Sequence, residues 1–175
     1  MARPVTLSSA AVLGIGGGIA WLVGSSALAA GAGTVVLALG IAVTVWLVAT
    51  GSRDVGEAPV ERRRSRRLLR LLVLGVVLVA GSSTLLGVLS YGELAVPVAF
   101  FVVGALLVPA SSTLDDRNFL LLGSALMVLS AVGALLALNS AGQLYPRGLV
   151  GLGAGAMLWL VSALRSGLLA PLQRR

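Results

Sequence analysis

Six apolar stretches separated by short polar breaks fill almost all of this 175-residue chain, and one break carries the run Arg62-Arg63-Arg64-Ser65-Arg66-Arg67. A helix needs roughly 20 apolar residues to cross a bilayer core. About six spans therefore consume the length and leave no room for a soluble catalytic domain. The pattern predicts an all-α, polytopic membrane protein with six transmembrane helices in a single integral membrane domain. Charged residues make up 11% of the chain and mean hydropathy is +1.04, against about 25% charged in a soluble domain.

The spans are expected at about 7–29, 33–50, 68–89, 94–110, 118–138 and 149–165, with residues 51–67 as the substantial loop. Pro97 falls in the first turn of the fourth span, where it costs little, and Pro109 marks that span's exit. Asp115 or Asp116 suits the N-cap of the fifth. Ala27-Leu28-Ala29 has the form of a signal-peptidase site. The apolar run before it, about 20 residues, exceeds the usual 7–15-residue leader core and favours a retained helix. The tail from Ser166 to Arg175 sets Leu168, Leu169 and Leu172 against Arg174 and Arg175, as in a segment lying along the interface.

Orientation follows from the arginines. Placing the N-terminus in the cytoplasm puts Arg3, the 51–67 loop, Arg117 and the Arg174-Arg175 tail inside and leaves Arg147 outside, in accord with the positive-inside rule. Both termini are then cytoplasmic. Tyr91 and Tyr145 fall at the outer interface and Trp46 near the inner one. Arg62, Arg63, Arg64, Arg66, Arg67 and Arg70 form a juxtamembrane patch, read first as a topogenic signal and second as a site for anionic lipid headgroups. The net charge of +7 is thus accounted for by topology and implies no nucleic-acid partner. Every basic residue is Arg in a chain rich in Ala, Gly, Val and Leu, a bias expected of a GC-rich genome and hence of a prokaryotic plasma membrane.

Several chemistries are excluded by composition. The chain has no Cys and no His, which removes thiolate chemistry, disulfides and the commonest metal ligands. It has no Lys to form a Schiff base with retinal or pyridoxal. Its six carboxylates, Asp54, Glu57, Glu61, Glu93, Asp115 and Asp116, fall in or beside loops, not mid-membrane where a proton relay needs them. No cofactor, metal or catalytic constellation is expected, and the chain is not expected to be an enzyme. The glycine-rich Gly14-Ile15-Gly16-Gly17-Gly18 lacks the preceding strand and aqueous setting of a nucleotide fingerprint.

Internal echoes link Gly24-Ser25-Ser26-Ala27-Leu28 to Gly81-Ser82-Ser83-Thr84-Leu85, and Ser90-Tyr91-Gly92-Glu93-Leu94 to Ser140-Ala141-Gly142-Gln143-Leu144. They point to three tandem helical hairpins of about 50 residues. Three hairpins in six spans resemble the architecture of the HdeD-like acid-resistance membrane proteins, and the likeness implies a stress-protective role. Gly14 with Gly18, and Gly151 with Gly155, form G-x-x-x-G pairs suited to close helix contact. Gly17 precedes Trp21 by four residues and Gly155 precedes Trp159 likewise, so each indole is expected to fold over the glycine of its own helix. Gly104 has no such glycine partner and reads as loosely packed or lipid-facing.

The leading functional reading is a structural or accessory membrane protein that acts through helix packing, with a second copy or a membrane protein as partner. The alternatives are a transporter component and the stress-protective role. They part at Ser25, Ser26, Ser82, Ser83, Ser124 and Ser130, which line a path in a transporter and tie helices in an accessory protein.

Overall fold

In lipid every backbone polar group must be satisfied within the protein, so uninterrupted runs of Leu, Ala, Val and Gly adopt helix. The computed structural model describes residues 9–28, 30–51, 62–114, 116–139 and 145–166. It is all-α, with helices α1 (Ser9–Ser25), α2 (Ala30–Gly51), α3 (Arg62–Val88), α4 (Ala95–Leu114), α5 (Arg117–Asn139) and α6 (Tyr145–Arg165), and a 3-10 turn at Gly92–Leu94. Four stretches are long and apolar enough to cross a membrane: Gly31–Thr50, Gly92–Ser112, Arg117–Asn139 and Pro146–Arg165. The apolar stretches in α1 and α3, Ala11–Ser25 and Val73–Val88, are shorter. The fold is all-α, and its apolar helices are those of a chain fitted to a membrane.

Helix ends depart from the sequence expectation for identifiable reasons. The first helix stops at Ser25, where the Ser25 and Ser26 hydroxyls donate to the carbonyls of Leu22 and Val23 and so compete for acceptors of the last turn. The second begins at Ala30, earlier than Gly33. The helix of α3 starts at Arg62, not Leu68, because Arg is a good helix former and no Gly or Pro intervenes before Gly75. Thus the arginine run belongs to a helix, and the rest of the expected loop, 52–61, lies outside the described residues. Pro109 lies inside α4, which continues to Leu114. Proline forfeits one backbone bond, tolerated in a membrane helix whose neighbours satisfy the freed groups.

The exit of α3 is a Schellman turn. Ser90 adopts φ 63°, the Tyr91 amide donates to the Leu86 carbonyl at 2.8 Å and the Ser90 amide to Gly87 at 3.2 Å. Asp116 caps α5, its Oδ1 accepting from the Asn118 amide at 2.9 Å.

Neighbouring helices run antiparallel. The broadest interfaces join α1 to α6 and α4 to α5, while α1·α2, α3·α4 and α5·α6 pack as hairpins. These interfaces order the helices α2, α1, α6, α5, α4, α3, with no extended α2·α3 interface among the described residues. Leu13 and Ala20 of α1, Phe119, Leu122 and Leu126 of α5, and Ala154 and Leu158 of α6 form the core, with Phe100, Val103 and Leu107 of α4 packed against it. Helices α2 and α3 flank this core.

Candidate functional site

The most tightly built region is the α1–α6 interface, and glycine is what allows it. A Cβ on Gly151 would lie 2.5 Å from the amide nitrogen of Gly24, and one on Gly155 would lie 3.0 Å from the Gly17 carbonyl and 3.1 Å from the Trp21 nitrogen. These are backbone-to-backbone contacts. Gly14 faces both Ser162 of α6 and Leu47 of α2, at 3.4 and 3.6 Å from its would-be Cβ. Gly18 faces α2 instead, against the Thr44 hydroxyl. The two members of the first G-x-x-x-G pair therefore serve different neighbours.

The indoles cross between helices. Trp159 of α6 overlies Gly17 of α1, and Trp21 of α1 overlies Gly40 of α2. The expectation that each ring folds over its own helix's glycine is thus corrected. A side chain on a helix leans back along that helix, but here a glycine on the neighbour offers the deeper recess. The two rings meet at a centroid distance of 4.7 Å, tilted by 32°, within the range favoured by aromatic quadrupoles. Each N–H is satisfied across the interface: Trp21 Nε1 donates to the Val36 carbonyl at 2.6 Å and Trp159 Nε1 to Gly14 at 3.3 Å. The pair stitches α1, α2 and α6 into one unit.

A second glycine contact joins α4 to α5. Cβ atoms on Gly104 and Gly123 would each lie 2.7 Å from the other residue's carbonyl oxygen. Gly104 is buried, which corrects its reading as loosely packed. Neither glycine has a partner four residues away, so the spacing motif gave no sign of them; an isolated glycine in an otherwise bulky apolar run was the available signal. The echo of Gly24 in Gly81 does not extend to environment. Gly24 abuts Gly151 and Leu152, whereas Gly81 has nothing within 4 Å of its would-be Cβ. The second echo falls on residues 140–144, outside the described residues.

Polar clamps hold α6 at both ends. At its start, Arg147 Nη2 donates to the Gly92 carbonyl at 2.6 Å, tying α6 to the α3–α4 turn. At its end, Arg165 pairs with Asp116 at the head of α5, and its guanidinium lies 4.6 Å from the centroid of the Phe119 ring. Burial raises the Asp116 carboxyl, but the Asn118 amide and the Arg165 guanidinium outweigh it and hold the group below the ordinary value of 3.8. The two arginines lie far from their partners in sequence, so neither clamp was legible there.

The serines bond mainly within their own helices. Ser25, Ser26, Ser82 and Ser124 donate to Leu22, Val23, Val79 and Leu121. Ser26 and Ser124 are exposed. Ser130 is 1% exposed and its Oγ has no hydrogen-bond partner among the described residues.

Of the arginine patch, Arg62, Arg63, Arg64, Arg66 and Arg67 lie in the first turns of α3 and Arg70 follows, exposed. Comparison with protein-family models, curated proteins and solved structures gives no match.

Proposed function

We propose that this chain is a small integral membrane protein of structural or accessory function, acting through helix packing with itself or a membrane partner. The observation that carries this reading is the glycine-on-glycine seam at Gly24 and Gly151, locked by the crossed indoles. So close a contact toward the Ser25 end of the broad α1–α6 interface commits α1 and α6 to holding each other. The serine pattern supports the same reading, because hydroxyls that donate to their own helix's carbonyls are spent on local bonds. We place all six helices across a prokaryotic plasma membrane with both termini in the cytoplasm, on the strength of the arginine distribution.

Deletion-strain rescue and co-purification in mild detergent test the role. A chain with Ser25, Ser130 and Ser162 changed to Ala should retain its stability, its co-purifying proteins and its ability to rescue. Loss of rescue with stability and assembly unchanged would favour a transport component instead.

A further inference from the structure

Two interfaces are fixed by backbone seated on backbone, and they divide the six helices into two bodies. In α1·α6, Gly17 and Gly155 face each other's carbonyls, with would-be Cβ atoms 3.1 and 3.0 Å away. In α4·α5, Gly104 and Gly123 do the same at 2.7 Å. Helix α2 joins the first pair through the Trp21 ring over Gly40 and its bond to the Val36 carbonyl. Helix α3 joins the second through α4, where Gly75 meets Leu106. One body is thus α2, α1 and α6, and the other is α3, α4 and α5.

Between the bodies runs the α5·α6 seam, narrower than either glycine-bound interface. Glycines here meet the ends of side chains: Gly153 of α6 faces Leu129, and Gly133 of α5 faces Val150. An aliphatic side chain has rotamers to exchange, whereas backbone seated on backbone has none, so sliding or hinging concentrates at this seam. One turn from Gly133, the buried Ser130 hydroxyl has no partner among the described residues, so close packing gains no bond there.

Two polar clamps cross the seam, and α6 carries both. Arg147 donates to the Gly92 carbonyl in the turn between α3 and α4. Arg165 pairs with Asp116 at the head of α5 and lies over the Phe119 ring. The two arginines are separated by roughly 27 Å at 1.5 Å per residue, which sets one clamp at each end of the seam. With one clamp broken, the other remains as the pivot.

We propose that the fold is a two-body hinge, in which α2, α1 and α6 move as a unit against α3, α4 and α5, and the two arginine clamps latch the ends of the seam independently. Release at Arg165 parts the bodies at the Asp116 end. Release at Arg147 parts them at the α3–α4 turn. The device is internal to one chain and stands whether or not a membrane partner binds.

Spin labels on cysteine pairs introduced into the Cys-free chain measure the motion by pulsed electron paramagnetic resonance, on full-length protein in lipid vesicles. The exposed pairs A49C/S112C and S26C/V88C span the two bodies at the Arg165 end and the Arg147 end. The pairs A49C/L164C and L74C/S112C each lie within one body. D116N removes the charge opposite Arg165 and should lengthen the 49–112 distance by more than about 2 Å, with the other three pairs held within about 1 Å. R147Q removes the donor to Gly92 and should lengthen 26–88 in the same way, leaving 49–112 in place. Should D116N fail to fold, R147Q decides the matter alone. An unchanged distance at the end whose clamp is broken overturns the hinge, as does equal movement of the pairs within a body. Movement of both ends together in either variant also overturns it, because a pivot keeps one end fixed.

Discussion

Adding a single methyl group to Gly151 should separate α1 from α6. The new Cβ would lie 2.5 Å from the Gly24 nitrogen and 2.6 Å from its Cα, about 1 Å inside normal contact distance. Neither atom belongs to a side chain that can rotate away. The helices must part, and a gap of about 0.5–1 Å forfeits a quarter to a half of the dispersion energy of each affected contact. Trp159 Nε1, already 3.3 Å from the Gly14 carbonyl, loses its acceptor in the same movement. Overpacking costs about 1–3 kcal/mol, and a rigid backbone obstacle puts this case near the upper end. Replacing glycine by alanine in a helix returns about 1 kcal/mol, for a net loss of about 2 kcal/mol. Gly81→Ala is the control, because open space surrounds that position and the propensity gain of about 1 kcal/mol acts alone. Unfolding in mixed detergent micelles, followed by tryptophan fluorescence, measures both. Stability shifts of the same sign in the two variants would refute the reasoning.

Four further outcomes are expected. Gly104→Ala should destabilise, since its Cβ would meet the Gly123 carbonyl at 2.7 Å; stability equal to the parent protein in the same micelle assay contradicts that contact. Trp21→Phe leaves the Val36 carbonyl without its 2.6 Å donor and should cost about 1–2 kcal/mol, bond and ring area together. Asp116 has a folded-state pKa below its ordinary value of 3.8, so its contribution is present above the unfolded pKa and is lost as pH falls from about 5 through the folded value. Asp116→Asn should flatten that part of the stability profile, and an unchanged acid limb would remove the ion pair from the account. With cysteines introduced singly into this Cys-free chain, a membrane-impermeant reagent applied to intact cells should label position 142 and not position 65; the reverse pattern inverts the topology.

The sequence alone determined the helix content, the approximate placement of six apolar segments and the direction of the charge asymmetry. Each of these follows from local composition, because a run of apolar residues in lipid has no alternative to helix. A cap at Asp115 or Asp116 was legible for the same reason, since a cap acts within three residues of the chain, and the structure settles it on Asp116. Pairings between helices were not local and were not legible. Hydrophobic periodicity is nearly absent in segments such as α2, where lipid and protein neighbours are both apolar, so the pattern does not say which side faces which. Thus Gly18 turns to α2 while Gly14 meets both α2 and α6, the indoles recess into neighbouring helices, and Gly104 is buried although it lacks a spacing motif. Arg147 and Arg165 find their acceptors 55 and 49 residues away. Tertiary structure alone decided these matters, because the energy that sets them comes from backbone approach and from satisfying polar groups across helices. Those terms exist only once the helices have been brought together.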